Sequence, residues 1–559
     1  MMAMRAFAWA PHAARARYGG AGQPASALPT GSLRDRLVPP MPPGGWRGWA
    51  GPLLVTVFGG FLRFYRLGAP HAIVFDETYY VPDSYSILRH GVELSTRGVN
   101  AKTGSRAVLE HWMLTGNTRF LTSTGEYVAH PPLGKVLMAV GDWLFGLTPF
   151  GWRFAVAVVG TLSILMTARI ARRMTRSTLL GCVAGLLLAL DGLELVMSRT
   201  ALLDIFVMFW VLAAFGMLVL DRDASRARLA AAVESARADA GADGGPGGTW
   251  LAGTGPGLGI HWRKVLAGVF LGLACASKWD GIWFIPAFAA MAVAWDVGAR
   301  KAAGYRGWAA GAARDAAWLP VTFGVAPFAA YLASWSGWFA SGRGYGRYWG
   351  PAIGNHVPVW SVLDSWYQYQ KSMYQFGVGL HVQTGYVSRP WTWLFLYRPV
   401  SMFWNGSPPG CAKGCAQAVL AQGTPAIWWA SIGALAFCLG WWVVRRDWRA
   451  GAVLVAVAAG WLPWFWYAWH DNRTEYFFYA VVFVPFLVIA ITLCLGLIIG
   501  PARADPVRRA VGAVVVGAYL ILVLVNFAFL YPVLTAQIVP YTAWLHRMWF
   551  HNAWITPAG

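Results

Sequence analysis

The chain has 559 residues, of which 57% are hydrophobic and only 12% are charged. A soluble globular protein carries about 25% charged residues, so this composition excludes an ordinary soluble fold and favours a protein embedded in a bilayer. The formal net charge is +21. It does not indicate nucleic-acid binding, because the Lys and Arg residues lie between apolar stretches and not on one soluble face.

The first 49 residues are rich in Arg, Ala, Gly and Pro and contain no long apolar run. They predict a disordered, basic cytoplasmic arm without a signal peptide. About eleven apolar stretches follow, most of them near the roughly 20 residues with which a helix crosses the hydrocarbon core. They are residues 51–67, 152–171, 179–196, 202–220, 265–276, 282–297, 317–335, 427–444, 453–469, 476–499 and 511–531. The sequence therefore predicts an all-α polytopic membrane domain over residues 50–531, followed by an extracytoplasmic tail at 532–559.

The basic segments between the spans set the predicted orientation, because translocation of Lys and Arg is disfavoured. With a cytoplasmic N-terminus and about eleven spans, these segments all face the cytoplasm and the C-terminal tail lies outside. They are residues 172–176, 222–264, 300–314, 445–449 and 503–509. This arrangement requires that residues 133–147, a short apolar stretch after two prolines, lie along the outer interface. The Ala/Gly-rich insertion within residues 221–264 is predicted to be flexible and without chemistry.

Two long segments remain on the outer side: residues 68–151, the first long loop, and residues 336–425, the second long loop. Cys411 and Cys415 lie in a Gly/Pro-rich part of the second long loop, and their spacing can bring the side chains together on one helical turn. In an oxidising compartment this pattern predicts a disulfide, and a pair of free thiols is the alternative. The other four cysteines lie in apolar stretches and are predicted to be packing residues.

Near its start the first long loop carries two adjacent carboxylates, Asp76 and Glu77, which apolar and aromatic residues flank. Such neighbours remove water from the pair, and a positioned Asp can accept a proton from a hydroxyl nucleophile. Functional residues also concentrate on loops of this kind. The alternative is a solvated turn without a catalytic role.

Three basic side chains on the predicted outer side are candidates for binding a phosphate. Lys135 follows His130 and two prolines that make the start of the interfacial helix rigid; a lysine that snorkels to the interface is the alternative. Arg473 lies in a short turn, and its guanidinium can bind phosphate through a bidentate fork. Arg153, at the outer end of the second span, could assist it.

Four ionisable residues are predicted to cluster around the outer turn between the third and fourth spans. They are Asp191, Glu194, Arg199 and Asp204. Ionisable residues in apolar surroundings are costly and are rarely without a role. A catalytic role and a structural Arg–Asp pair both remain open.

Several other site types find no support in the sequence. There is no Gly-rich phosphate loop followed by Lys-Ser/Thr. The His residues lack the spacing of a zinc site, and no soluble βαβ nucleotide-binding unit is present. An enzyme without such a unit could use a lipid-linked donor.

Six short motifs occur in an order that resembles the dolichyl/polyprenyl-phosphate-mannose–protein mannosyltransferases in their actinobacterial form. They are FDETYY at 75–80, HPPLGK at 130–135, WR at 152–153, SRTALLD at 198–204, SKW at 277–279 and RTEYFFY at 473–479. Each motif alone is weak, whereas the ordered set is specific. The resemblance extends over nearly all of residues 62–531.

The resemblance implies a GT-C membrane fold with the active site between the first long loop and the helix bundle. It implies polyprenyl-phosphate-mannose as donor and Ser or Thr hydroxyls of secreted or membrane polypeptides as acceptors, with the secretion translocon as a further possible partner. The family's acidic pair maps to Asp76 and Glu77, with Asp76 as the base of a single-step inverting displacement. Candidates for the donor phosphate or substrate are Arg473, Arg153, Lys135, His130, Arg199 and Asp204. No cofactor is expected, and metal dependence is left open.

Two other functions compete with this prediction. One is a GT-C transferase that places a different lipid-linked sugar on a glycan or lipid. The other is a non-enzymatic transporter of lipid-linked sugars, for which internal repeats and helices broken at the membrane midplane would be expected. No such repeat is visible, and the polar residues cluster at the outer face.

Overall fold

The computed structural model describes residues 33–42, 44–98, 107–239, 251–258, 261–382, 384–411, 414–501 and 504–555. Within them, eight helices are long and apolar enough to cross a membrane. They are Pro149–Thr175, Asp204–Asp239, Trp279–Ala303, Trp308–Ser334, Pro425–Arg445, Trp448–His470, Phe477–Ile499 and Pro506–Leu534. Three other helices coincide with the remaining predicted spans: Arg47–Phe64, Thr178–Ala189 and Trp262–Ser277. The predicted all-α polytopic class is confirmed.

Asp204–Asp239 and Phe477–Ile499 are the central helices of the bundle. In each of them 72% of an apolar stretch of 18 residues is buried inside the protein. In Trp308–Ser334 only 17% of the corresponding 18-residue stretch is buried, so this helix lies at the periphery. Because a bilayer offers no hydrogen-bond partners to backbone N–H and C=O groups, we expect all these apolar stretches to be helical. Exposed apolar side chains on the peripheral helices are the surface that lipid would cover.

The third predicted span is interrupted, and its sequence explains the break. Thr178–Ala189 ends before Asp191, whose side chain accepts a hydrogen bond from the backbone N–H of Glu194 and starts a second helix, Gly192–Met197. This is an N-cap, which satisfies one of the free N–H groups at a helix start. The predicted stretch 179–196 is therefore two helices.

The remaining helices lie outside the spans, and the longest of them belong to the two long loops. They are Leu33–Leu37, Glu77–His90, Ala107–Leu114, Leu133–Phe145, Ser336–Ala340, Trp349–Ala352, Trp360–Val378, Tyr541–Leu545 and His551–Trp554, with a 3-10 helix at Pro390–Phe395.

Two small antiparallel sheets were not predicted. Leu94–Thr96 pairs with Leu121–Gly125 inside the first long loop. Val400–Asn405 pairs with Cys415–Ala421, which also pairs with Val539–Pro540. The second sheet thus joins the second long loop to the segment after the last span.

The stretch predicted to lie along the interface forms the helix Leu133–Phe145. Its 13 residues reach about 20 Å, which is well short of the roughly 30 Å hydrocarbon core. One face packs so closely on the next helix that a Cβ at Gly141 would meet the carbonyl of Gly151. Val140 and Trp143 on the other face are exposed. The helix is therefore too short to cross, and one of its sides is apolar and uncovered.

Part of the segment predicted to be a disordered arm is ordered. Residues 1–32 lie outside the described residues, but Leu33–Leu37 is a helix whose Leu37 is buried in an apolar cluster with Leu229 and Tyr305. Much of the predicted flexible insertion is helical too, since Asp204–Asp239 runs into it. Its residues 240–250 and 259–260 lie outside the described residues, as do 556–559 of the predicted tail.

Candidate active site

Asp76 lies at the turn that leads into the helix Glu77–His90. Phe75 before it adopts a left-handed backbone conformation, with φ of 49°. The Phe75 ring packs edge-on against Tyr386, Tyr476 and Phe478, at centroid distances of 5.9, 6.3 and 5.6 Å. The turn that presents Asp76 is thus held by aromatic rings from the second long loop and from the start of a central helix.

Asp76 is a partly exposed residue, and its side chain receives no hydrogen bond from the residues that the structure describes. Burial by the surrounding protein raises the pKa of Asp76 to about 7, while the positive charge of Lys278 acts to lower it and Asp204 to raise it. A carboxyl group with a pKa near neutrality is suited to general-base catalysis. Its unused hydrogen-bonding capacity leaves it able to accept a proton from a substrate.

Lys278 is the fixed cation beside Asp76. Its Nζ donates to Asp204 Oδ1 at 2.8 Å, lies 3.5 Å from Asp280 Oδ2 and sits 4.1 Å above the ring of Tyr479. Lys278 is itself buried. An ammonium held in this way provides a preorganised positive charge, which stabilises developing negative charge more effectively than mobile solvent does.

Arg473 also lies near Tyr479 and is partly exposed. Its Nε donates to the carbonyl of Gly377 at 2.6 Å, and its Nη1 donates to the carbonyl of Thr474 at 3.1 Å. The guanidinium lies 5.3 Å from the ring centroid of Trp464 and 5.7 Å from that of Tyr479. Neutral carbonyls hold its position, so no carboxylate cancels its charge through these contacts.

Glu77 forms an internal ion pair with Arg153. Arg153 donates to both Glu77 carboxylate oxygens, at 2.7 and 2.8 Å, and also to the carbonyls of Pro70 and Ala72. Glu77 accepts two further bonds, from the backbone N–H groups of Val74 and Ala201. Both side chains are buried, so the pair ties the first long loop to the bundle.

Lys135 is buried as well and belongs to a second internal cluster. Its Nζ lies 2.7 Å from Glu93 and 3.4 Å from Asp83, and it donates to the carbonyl of His130 at 3.3 Å. Burial opposes its charge, but Glu93 and Asp83 outweigh this effect and raise the pKa of Lys135. Burial and the nearby charges of Lys278, Lys135 and Arg473 hold the pKa of His130 well below its usual range, so this imidazole is neutral at pH 7.

Arg199 caps the C-terminal end of the helix Arg47–Phe64. Its guanidinium donates to four backbone carbonyls at distances between 2.6 and 3.2 Å, which are those of Leu62, Arg63, Tyr65 and Arg66. A cation placed there satisfies carbonyls that the helix leaves unpaired. Glu194, from the same predicted cluster, pairs with Arg63 inside the bundle.

The described residues contain no group of three or more His, Cys, Asp or Glu side chains that could hold a metal ion.

Comparisons with known proteins agree with this architecture. The family model for dolichyl-phosphate-mannose-protein mannosyltransferase matches residues 95–230. A polyprenol-phosphate-mannose–protein mannosyltransferase of Mycolicibacterium smegmatis is 40% identical over 518 residues, covering 90% of this chain and 92% of the relative. The Mycobacterium tuberculosis protein of the same name is 39% identical, with 90% and 91% covered, and that of Corynebacterium glutamicum is 32% identical, with 89% and 91% covered.

The chain belongs to the polyprenol-phosphate-mannose–protein mannosyltransferase family. It is therefore a glycosyltransferase. A solved structure of the S. cerevisiae protein O-mannosyltransferase Pmt1-Pmt2 complex bound to the sugar donor superimposes with a TM-score of 0.66 over 93% of both chains, at 13% identity. At that identity the likeness concerns the fold, and it confirms the predicted GT-C architecture.

The structure of this family member brings together only some of the predicted site residues. Asp76, Asp204 and Arg473 surround Lys278 and Tyr479, with His130 within electrostatic range. Four other predicted residues are bonded to groups in the protein interior: Glu77, Arg153, Lys135 and Arg199.

Lys278 and Tyr479 were not among the predicted site residues of this mannosyltransferase, although both belong to motifs that carried the resemblance. A signal for Lys278 was available. It is an ionisable residue directly after an apolar span, which is where an intramembrane functional charge is expected. Nothing in the sequence singles out Tyr479 from the aromatic residues around it.

Cys411 and Cys415 are joined by a disulfide, with their Cα atoms 6.3 Å apart. Cys415 is the first residue of the strand Cys415–Ala421 and does not belong to a helical turn, which the spacing of the two cysteines had suggested. The other four cysteines are free.

Proposed function

We propose that this enzyme transfers mannose from polyprenyl-phosphate-mannose to Ser or Thr hydroxyls of polypeptides at the outer face of the cell membrane. The observation that carries the proposal is Asp76, a partly exposed residue whose carboxylate lacks a hydrogen-bond partner in the described chain and lies within electrostatic range of a fixed lysine. The names of the relatives supply the donor and the acceptor class.

In the proposed reaction, Asp76 accepts the proton of the acceptor hydroxyl as its oxygen attacks the anomeric carbon of mannose. The bond between that carbon and the phosphate oxygen breaks, and its electron pair leaves on the polyprenyl phosphate. Arg473 binds the phosphate, and Lys278 adds positive charge where negative charge develops. A single displacement inverts the anomeric centre, so a β-linked donor gives an α-linked product.

The internally paired residues receive positioning roles in this proposal. Arg153 has its guanidinium occupied by Glu77 and by backbone carbonyls, so it shapes the loop that carries Asp76 and does not contact the phosphate. Lys135 and Arg199 act in the same indirect way, through their own ion pairs and carbonyl bonds.

The orientation of the bundle follows from its basic loops. Arg173 and Arg176 pair with Asp223 at one end of the bundle, while Asp76 and both long loops lie at the other end. Because basic loops remain in the cytoplasm, we place the N-terminus inside, and the Asp76 site and the C-terminus outside. An acceptor chain emerging from the secretion translocon would reach the site from that side.

The purified enzyme in lipid vesicles, supplied with radiolabelled polyprenyl-phosphate-mannose and a Ser/Thr-rich peptide, tests the proposal. We expect label on the peptide that mild base releases by β-elimination. Label that enters only a glycan or lipid would support another GT-C transferase. Movement of the intact donor across the vesicle membrane without any transfer would support a transporter.

A further inference from the structure

The helix Trp360–Val378 in the second long loop has one buried face and one uncovered aromatic face. Tyr369 and Met373 on the buried face pack into an apolar cluster with Trp335 and Trp338. On the opposite face an aromatic side chain recurs every seven residues, which is close to two helical turns and therefore forms one line along the helix. We call this line the aromatic stripe; it consists of Trp360, Tyr367 and Tyr374, which are 66%, 60% and 57% exposed.

More than half of each side chain in the aromatic stripe is exposed. None of its three rings packs on another aromatic ring, and none of their polar atoms has a hydrogen-bond partner among the described residues. The stripe also carries an exposed cation, Lys371, between its second and third rings. Exposed Trp and Tyr in a row are typical of a surface that binds a partner, because each buries a large area with few freely rotating bonds.

One end of the aromatic stripe borders the candidate site. The carbonyl of Gly377, three residues after Tyr374, accepts the 2.6 Å hydrogen bond from Arg473 Nε. The chain just beyond the helix is tied to the same segment, because Thr474 N donates to the carbonyl of Leu380 at 2.9 Å. From this end the stripe extends for about 21 Å along the helix, at 1.5 Å per residue.

We propose that the aromatic stripe is the docking surface for the acceptor polypeptide, and that it binds an extended, Pro-containing, Ser/Thr-rich segment. This inference rests on the proposed function. A polyproline II segment advances about 3.1 Å per residue, so the stripe spans about seven acceptor residues. Aromatic surfaces bind such segments through ring–proline packing, and Ser/Thr-rich chains with proline are typical of O-glycosylated polypeptides.

This form of recognition suits an enzyme whose acceptors differ in sequence. Ring–proline and ring–backbone contacts select an extended shape and leave the identity of most side chains free. The stripe would hold the chain on one side of the reacting hydroxyl, while Asp76 engages only that hydroxyl. The benefit should therefore appear only with acceptors long enough to reach both places.

The test compares a capped tripeptide acceptor with an acceptor of about twelve residues that carries prolines on both sides of the same Thr. The variant is the triple substitution Trp360→Ala, Tyr367→Ala and Tyr374→Ala. The control removes three exposed aromatic side chains elsewhere: Phe61→Ala, Trp143→Ala and Trp262→Ala. We expect kcat/KM for the long acceptor to fall by roughly tenfold or more in the variant, while the tripeptide rate and the donor KM stay unchanged.

Three outcomes would overturn the inference. Equal losses for both acceptors would mean that the stripe supports the fold or the donor. An unchanged advantage of the long acceptor would mean that the chain docks elsewhere. A loss confined to lipid vesicles and absent in detergent would assign the stripe to the membrane interface. Failure of the wild-type enzyme to mannosylate either acceptor would instead refute the proposed function.

Discussion

Replacing Asp76 with Asn is the sharpest test of the proposed base. The substitution preserves size and polarity, and the Asp76 side chain receives no hydrogen bond from the described residues that the change could break. With a pKa of about 7, the wild-type carboxyl is about 90% ionised at pH 8, where its basicity is almost fully available. A positioned general base contributes about 100-fold to 10,000-fold to a rate, so kcat should fall by at least about 100-fold. That loss corresponds to about 2.7 kcal/mol of barrier.

The assay is mannose transfer to peptide at pH 8 with saturating donor, together with a thermal-unfolding curve of each protein. Asp239→Asn is the matched control, because it makes the same chemical change on an exposed carboxylate of the helix Asp204–Asp239, far from the site. The unfolding midpoints should be alike and the control should keep full activity. Transfer by Asp76→Asn within a few-fold of wild type, in folded protein, would refute the assignment of the base.

Four further predictions address the other parts of the site and the topology. Lys278→Met should move the acid limb of the kcat/KM–pH profile above pH 7, because the lysine charge lowers the pKa of the base; a profile that stays in place would remove Lys278 from the site. Arg473→Lys should raise the donor KM by roughly tenfold through loss of the fork, whereas Arg314→Lys at the opposite end of the bundle should leave it unchanged. In denatured, non-reduced protein, alkylation should modify only the four free cysteines, and six modified thiols would contradict the disulfide. An impermeant maleimide applied to intact cells should label a cysteine at the exposed position His90 and not one at Ser235; the reverse pattern would invert the orientation.

The membrane architecture could be predicted because its signal is local. Each of the eleven apolar stretches became helical, since length and hydrophobicity alone decide how a chain crosses a bilayer. The two small sheets were not predicted, and one of their pairings joins segments far apart in the chain, Cys415–Ala421 with Val539–Pro540. Strands of two to seven residues carry too little alternation to be recognised alone.

The sequence motifs of the candidate site could be predicted, but the contacts and roles of the individual residues within them could not. Asp76 and Glu77 are adjacent and chemically similar, yet successive residues at a helix start point about 100° apart. Asp76 lies within electrostatic range of Lys278, whereas Glu77 pairs with Arg153. The partners of the buried charges are distant in sequence, as Glu93 is from Lys135, so a lysine expected near a phosphate proved to belong to an internal cluster.

The distinction between these residues rests on the hydrogen-bonding capacity that each retains. Glu77 accepts four bonds from within the protein and Arg153 uses its guanidinium on the same loop, so neither has the capacity to serve a substrate. Removing one partner of such a buried pair leaves the other charge uncompensated, at a cost of about 3–5 kcal/mol. Loss of activity after substitution at Glu77 or Arg153 would therefore be expected whether or not either residue touches the substrate. Asp76 does not share this ambiguity, because its side chain forms no hydrogen bond or ion pair with the described residues, so activity lost on its substitution can be assigned to chemistry.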